Sequence, residues 1–314
     1  MSKLTHQILR VALNGIESNG ETANTYIKEV KNRFAPWAAE NGIKVPKDVT
    51  KEKIQDYEEF LSNRGYSPST IHTYLAPVCK AAKISMNEID KPKRTSGAIT
   101  RGRGGEIGER GRLEEKRPEN ERIVIAKDSI GIRKDEYKHL KGKDLVKGAY
   151  GGLYVHVAKG KGGKEHLQLI LPLHEEAVNK LFEGILPEER VFSPEEMKRA
   201  DKINMHGGRA NVSKEAYAFH LNRLESEPGY SEKLKEKLLE RYKEFHINVS
   251  PRSLKRFMDE MNNSKPIKTR GDNRQRCIEK GYPTEYNRLA VLAVSVFHLS
   301  HWRNDVTITN YLTA

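Results

Sequence analysis

The sequence predicts a mainly α-helical protein that carries one small β-hairpin. Apolar residues recur every three to four positions through most of the chain, which is the periodicity of amphipathic helices. Alternation of apolar and polar residues is limited to two short runs that flank a glycine-rich segment. A length of 314 residues suits about two domains. A change in composition at residues 91–117 then separates a helical N-terminal domain from a larger α+β C-terminal domain.

The N-terminal domain, residues 1–90, is predicted to be a compact helical bundle with a basic surface. One helix carries apolar side chains from Tyr26 to Trp37 on a single side. Thr50 is a favourable N-cap for the next helix, since its hydroxyl can accept a hydrogen bond from an unpaired backbone N–H. Ser67 and Pro68 begin another helix, because proline is well tolerated in the first helical turn.

Residues 91–117 are predicted to form a basic, flexible linker. The stretch is rich in Gly, Arg, Ser and Thr and offers few apolar side chains that could pack on a core. Positive linkers of this kind can follow a nucleic-acid backbone, and a merely solvated spacer has the same composition. The basic residues from Lys91 to Arg112 are Lys91, Lys93, Arg94, Arg101, Arg103, Arg110 and Arg112.

The C-terminal domain, residues 118–314, begins with a helix–turn–helix pattern that breaks near Gly131. Two alternating runs, 153–157 and 167–171, then flank a segment that is rich in lysine and glycine. This pattern predicts a β-hairpin with a positively charged tip. From Pro172 onward the chain is predicted to be mostly helical.

Composition limits the function classes. The chain has 56 Lys and Arg against 43 Asp and Glu, which gives a net charge of +13. This excess of positive charge favours a polyanionic partner, and nucleic acid is the leading candidate. A well-solvated basic surface is the plainer explanation. The longest apolar stretch, 289–297, falls far short of the roughly 20 residues that span a bilayer. With no secretion signal and only Cys79 and Cys277, we expect a cytoplasmic protein without a disulfide framework or metal site.

Six residues are candidates for chemistry, although each has an ordinary explanation when taken alone. A surface salt bridge, a loop lysine, a chance histidine–arginine pair, a helix-end histidine and a packing tyrosine are all common. The spacing of His206 and Arg209 would bring both side chains to one helix face. The six candidates are Arg133, Lys161, His206, Arg209, His301 and Tyr311.

The order of these residues resembles the catalytic series of the tyrosine recombinases, the phage-integrase family. G-I-R-K-D-E-Y-K-H-L at 131–140 is similar to the first-arginine motif, and V-A-K-G-K-G-G-K-E-H at 157–166 is similar to the lysine hairpin. The segment 294–312 resembles the nucleophile region of integrases carried by conjugative elements. Two N-terminal segments resemble the core-binding domain, so the resemblance covers nearly the whole chain.

The resemblance implies the fold of DNA breaking–rejoining enzymes and a site-specific recombinase acting on duplex DNA, as a tetramer assembled on it. Tyr311 would attack the phosphodiester and form a 3′-phosphotyrosyl intermediate, while Arg133 and Arg209 hold the non-bridging oxygens. Lys161 would protonate the departing 5′ oxygen, and the histidines would donate hydrogen bonds or move protons. Because the covalent bond conserves the phosphodiester energy, we expect no ATP, metal or cofactor.

Several features depart from the family pattern. Glycines 207 and 208 replace a large apolar residue, which we expect to weaken helix packing. Arg209 and His301 are unusually far apart, which implies a helical insertion at about 225–285. Arg252 has family-like flanks but no histidine beside it, and we prefer Arg209 as the second arginine. Lys159 and Lys164 compete with Lys161, and His298 competes with His301.

We expect DNA contacts from basic residues of the linker and hairpin, which are Lys93, Arg94, Arg101, Arg103, Lys159 and Lys164. Few residues precede the first helical module, so we expect recognition of core sites alone. Few residues follow Tyr311, so either the chain is shortened or another segment couples protomers. The rival functions are a type IB topoisomerase, a telomere resolvase and a non-catalytic DNA-binding regulator that keeps the fold.

Overall fold

The computed structural model describes residues 2–18, 20–94, 109–148, 151–160, 164–246 and 248–313. The chain divides into two compact units, Met1–Thr100 and Arg101–Ala314. The protein is mainly helical with small antiparallel sheets, which confirms the predicted fold class. Within the described ranges, none of the helices has the length and apolar character needed to cross a membrane.

The first unit is a helical bundle, and the cap at Thr50 is the one expected from the sequence. The Thr50 hydroxyl accepts a hydrogen bond from the backbone N–H of Lys53 at 3.3 Å, and Ser67 caps its helix in the same way. A π-helical turn, Val30–Phe34, joins the second and third helices into one continuous rod. The helices are α1 (Lys3–Ala12), α2 (Glu21–Glu29), α3 (Ala35–Glu40), α4 (Lys51–Asn63) and α5 (Pro68–Ala82).

The second unit is built around a long central helix. Its described helices are α6 (Glu109–Glu115), α7 (Glu121–Ser129), α8 (Lys134–Tyr137), α9 (Glu175–Phe182), α10 (Pro194–Arg199), α11 (Met205–Ser226), α12 (Tyr230–Phe245), α13 (Pro251–Asn262), α14 (Gly271–Glu279), α15 (Arg288–Ala293) and α16 (Asn304–Thr307). Helix α11 packs against α7, α15 and the C-terminal residues. It therefore links the first and last parts of this unit.

The predicted hairpin is the larger part of an antiparallel sheet with the order β1-β2-β3. Its strands are β1 (Leu145–Lys147), β2 (Leu153–Val157) and β3 (His166–Leu169). Val157 lies opposite His166, and Tyr154 lies opposite Leu169. The pairing of β2 with β3 confirms the hairpin, whereas β1 was not predicted because three residues carry too little alternation to be recognised.

The stretch predicted as a helical insertion, about 225–285, contains all of α12, α13 and α14. It also contains a small antiparallel pair, β4 (Ile267–Lys268) with β5 (Glu285–Tyr286), which the sequence did not predict. Its interpretation as an insertion remains a prediction.

The end of the predicted linker is helical, which corrects the expectation of a flexible spacer there. Helix α6 occupies residues 109–115. Glu114 is buried, and its carbonyl accepts a hydrogen bond from the Asn120 side chain at 2.7 Å. Glu115 forms an ion pair of 2.8 Å with Lys127 on α7. These contacts hold α6 on the second unit, while residues 95–108 lie outside the described part of the chain.

Candidate active site

Arg209 is the central residue of the candidate site. It lies in the first turns of α11. Asn204 is the N-cap of this helix, and its side-chain oxygen accepts a hydrogen bond from the N–H of Gly207 at 2.9 Å. The Arg209 side chain is completely buried. Its Nη1 donates to the carbonyl oxygen of Gly131 at 2.8 Å, and its Nη2 donates to that of Leu299 at 2.9 Å. These two bonds fix the guanidinium between the start of the unit and its C-terminal part.

Two glycines make this burial possible. Gly131 lies just before α8 and has φ +69°, a left-handed conformation that favours glycine. In this conformation its carbonyl oxygen accepts the hydrogen bond from Arg209. A Cβ on Gly208 would lie 2.2 Å from Cγ of Lys127 and 2.7 Å from its carbonyl oxygen. Gly208 thus permits close contact between α11 and α7. The expected weakening of helix packing by the glycine pair is therefore wrong at this position.

Tyr311 lies beside Arg209, in a π-helical turn (Ile308–Leu312), and only 2% of it is exposed. The Cζ atom of Arg209 is 5.6 Å from the centroid of the tyrosine ring. The rings of His206 and His301 lie 6.0 Å and 5.9 Å from it. Four of the six predicted residues are thus brought together, although they come from distant parts of the sequence.

His301 is partly buried, and positively charged side chains lie near it. Burial, followed by the charges of Arg209 and Arg133, lowers the pKa of His301 to about 3, so its imidazole is neutral at neutral pH. The backbone N–H of Arg303 donates to its Nδ1 at 3.3 Å. A neutral imidazole that accepts at Nδ1 carries its hydrogen on Nε2.

Two buried N–H donors adjoin Tyr311. Among the described residues, neither Nε2 of His301 nor Nε of Arg209 has a hydrogen-bond partner. Leaving such groups unpaired costs about 1–3 kcal/mol each. An anionic oxygen that entered the site could accept from both donors, and the positive charge of Arg209 would strengthen those bonds.

Arg133 is held next to this cluster by Glu136. Its Nη1 forms an ion pair of 2.8 Å with Oε1 of Glu136, and its backbone N–H donates to Oε2 at 2.7 Å. The two residues are three positions apart, so this pair is local in the sequence. Burial lowers the pKa of both His301 and Arg209, and the charge of Arg133 lowers both further, so Arg133 acts on the same site. About 27% of its side chain remains exposed.

His166 was not singled out from the sequence, but it adjoins the same charges. It lies at the start of β3 and is 5% exposed. Burial lowers its pKa to about 4, the charge of Glu136 opposes this, and Arg209 and Arg133 lower the pKa further. Within the described chain its Nε2 has no partner. The histidine occurred in the hairpin motif, yet a motif gives no sign of burial.

The remaining predicted residues are placed as follows. Lys161, Arg101 and Arg103 lie outside the described residues. Of the residues predicted to contact DNA, four are described and exposed, and these are Lys93, Arg94, Lys159 and Lys164. The last two lie at the neck of the hairpin. Gly160 closes this neck, since its N–H donates to the carbonyl of Lys164 at 2.9 Å.

Arg252 and His298, which compete with Arg209 and His301 in the sequence, lie in different surroundings. Arg252 is exposed on α13, unlike the buried Arg209. His298 is fully buried and lies 3.2 Å from His220, measured between their Nε2 atoms. His301, in contrast, adjoins the ring of Tyr311. These contacts favour Arg209 and His301 as the site residues.

Comparisons with known proteins give little further guidance. No family model matches the sequence, and no curated protein matches it. Among solved structures, a crystal structure of XerA recombinase matches with a TM-score of 0.25 and 13% sequence identity, covering 82% of this chain and 98% of that chain. A similarity this low does not establish the family of this chain.

Proposed function

We propose that the protein is a site-specific DNA recombinase that cleaves and rejoins DNA through a tyrosine. The observation that carries this proposal is the convergence of Arg209, His206 and His301 around the ring of Tyr311. The guanidinium of Arg209 is buried beside the phenol, and its Nε has no hydrogen-bond partner among the described residues, so it is suited to hold the charge of a phosphodiester. The net charge of +13 favours a polyanionic substrate such as DNA.

The chemistry follows from these positions. The phenolic oxygen of Tyr311 attacks phosphorus and forms a phosphotyrosyl bond, while the bond from phosphorus to the 5′ oxygen breaks. Arg209 and Arg133 hold the non-bridging oxygens, whose negative charge must be stabilised as phosphorus becomes five-coordinate. Nε2 of His301 donates a further hydrogen bond, and His206 accepts the phenolic proton. The resemblance assigns protonation of the leaving oxygen to Lys161.

The covalent intermediate explains why religation needs no external energy source. The phosphotyrosyl bond replaces one phosphodiester and is reversed when a 5′-hydroxyl attacks it. Exchange between two duplexes would require four such sites, so we propose a tetramer assembled on DNA. This assembly, and the preference for integration or excision, rest on the resemblance to integrases of mobile elements.

Covalent trapping tests the proposal. Random-sequence duplexes are first selected for binding to Tyr311→Phe, which cannot form an adduct. The selected duplex is then nicked at successive positions, so that the short fragment released by cleavage diffuses away. We expect the unmodified protein to form an adduct that resists SDS, and Tyr311→Phe to bind equally without forming one. If neither becomes attached while both bind, the protein is a DNA-binding regulator.

A second assay separates recombination from related tyrosine chemistry. Two differently marked duplexes, each carrying the selected site, are incubated together with the protein. A recombinase gives joined products that carry both marks. A topoisomerase forms the adduct and relaxes supercoiled DNA but does not join the two duplexes.

A further inference from the structure

The backbone around His301 and Tyr311 needs outside support. In residues 300–313, which we call the Tyr311 segment, Ser300 and Trp302 have φ of +51° and +57°. Left-handed backbone is unfavourable for residues other than glycine, and it costs of the order of 1–3 kcal/mol per residue. The segment also contains the π-helical turn of Tyr311. Contacts from elsewhere in the fold must therefore hold it in this conformation.

The ring of Trp302 packs against aromatic side chains of α12, of the residue that follows it and of α13. Its centroid lies 5.4 Å from that of Tyr242, 5.3 Å from that of Phe245, 5.0 Å from that of His246 and 5.9 Å from that of Phe257. Aromatic pairs at these separations contribute beyond the area they bury. Because Trp302 follows His301 directly, this packing also holds the backbone of His301 in place.

Arg276 on α14 holds the other end of the segment. Its Nη2 donates to the carbonyl oxygen of Thr309 at 2.9 Å and to the hydroxyl of Thr313 at 2.8 Å. These two threonines lie two residues before and two residues after Tyr311. A single guanidinium therefore bridges the turn that carries the phenol.

Apolar and polar contacts complete this support. Ile308 and Leu312 share a buried cluster with Tyr286, against which Ile267 packs. The Asn304 side chain donates to Glu260 on α13 at 2.8 Å. Contacts to the Tyr311 segment thus come from the helices and strands between residues 230 and 286, which we call the support region.

We propose that the support region is a positioning device for the Tyr311 segment. The principal positioning residues are Arg276 of the support region and Trp302, through which the segment itself packs on that region. The region sets the phenol against Arg209 and keeps His301 in place. Its contribution to catalysis rests on the proposed function, whereas its control over the position of Tyr311 does not.

Arg276→Met tests the polar contact, and Arg274→Met is the matched control. Arg274 is exposed on the same helix, so its replacement removes the same charge without a contact to the segment. At saturating selected duplex, we expect Arg276→Met to slow adduct formation by about 10- to 100-fold, the effect of a misplacement of roughly 1 Å. DNA affinity should match that of the control, and Arg276→Lys should recover part of the rate.

Two further variants keep the test independent of one substitution. Thr313→Val removes the hydroxyl that accepts from Arg276 and should slow the same step at unchanged affinity. Trp302→Ala should do so as well, and Trp302→Phe should retain most of the rate. If Arg276→Met and Thr313→Val form the adduct as fast as Arg274→Met, the proposal is wrong.

Chemical nitration provides a readout that does not require catalysis. Tyr311 is almost fully buried, so mass spectrometry should find it protected in the unmodified protein and in Arg274→Met. In Arg276→Met it should become reactive while the circular dichroism spectrum stays unchanged. Unchanged protection would overturn the positioning role. A failure of the unmodified protein to form any adduct would instead overturn the proposed function, and nitration would still decide the positioning role.

Discussion

Replacing Gly208 by alanine tests the helix contact on which the buried position of Arg209 depends. The new Cβ would lie 2.2 Å from Cγ of Lys127, which can rotate away, and 2.7 Å from its carbonyl oxygen, which cannot. Helices α7 and α11 must therefore separate. Overpacking costs about 1–3 kcal/mol, and alanine regains about 1 kcal/mol of helix propensity, so we expect a net loss of up to about 2 kcal/mol.

Tryptophan fluorescence can measure this loss in the second unit alone. The chain has 2 tryptophans, and Trp37→Phe leaves only Trp302 as the reporter. Urea unfolding in this background should show a lower midpoint for Gly208→Ala at an unchanged slope. In a Lys127→Ala background the same substitution should cost less, because one of the two clashes is gone. A Gly208→Ala variant that is more stable than its parent by about 1 kcal/mol, the gain in helix propensity alone, would refute the close contact of α7 with α11.

Three further predictions concern the site and its surroundings. Burial lowers the pKa of His298 to about 3, whereas in the unfolded chain it is about 6.5, so between these two pH values the unfolded state binds more protons. The contribution of His298 to stability should therefore be complete above pH 6.5 and fall as the pH decreases. His298→Phe should reduce this pH dependence in urea titrations read by Trp302 fluorescence. Arg209→Ala should lower adduct formation on the nicked duplex by at least about 100-fold, while Arg252→Ala leaves it unchanged; the reverse result would assign the second-arginine role to Arg252. Glu136→Gln should slow adduct formation by about 10-fold in the same assay, since a neutral amide holds Arg133 less firmly, and equal rates would exclude a positioning role for this ion pair.

Features encoded by neighbouring residues could be predicted from the sequence. The N-cap at Thr50 depends on a hydroxyl that accepts from the N–H three residues later, so residue type and spacing suffice. Strand β2 was predicted over its full length, 153–157, because its alternation is unbroken. The Arg133–Glu136 pair is likewise local.

Features that depend on tertiary contacts could not be predicted. The sequence cannot show that Gly208 faces the backbone of Lys127, so its role in helix contact was misjudged. Strands β4 and β5, with two residues each, are too short for any periodic signal. Arg276 reaches Thr309 across 33 positions, and only the folded chain reveals that contact.

The candidate site divides in the same way. The residue types and their order pointed to His206, Arg209, His301 and Tyr311, and these side chains do lie together. The burial of His166 and its lowered pKa follow from the fold of β3 and could not be read from the sequence. The role of Lys161 remains a prediction, because that residue lies outside the described part of the chain.

The most direct measurement is identification of the amino acid that becomes attached to DNA. The adduct trapped on a nicked duplex is digested with protease and nuclease, and the peptide that retains a nucleotide is sequenced by mass spectrometry. We predict that the modified peptide contains Tyr311, joined through its phenolic oxygen to a 3′ phosphate, and that the released strand ends in a 5′-hydroxyl. Attachment through another residue, or to a 5′ phosphate, would contradict the account.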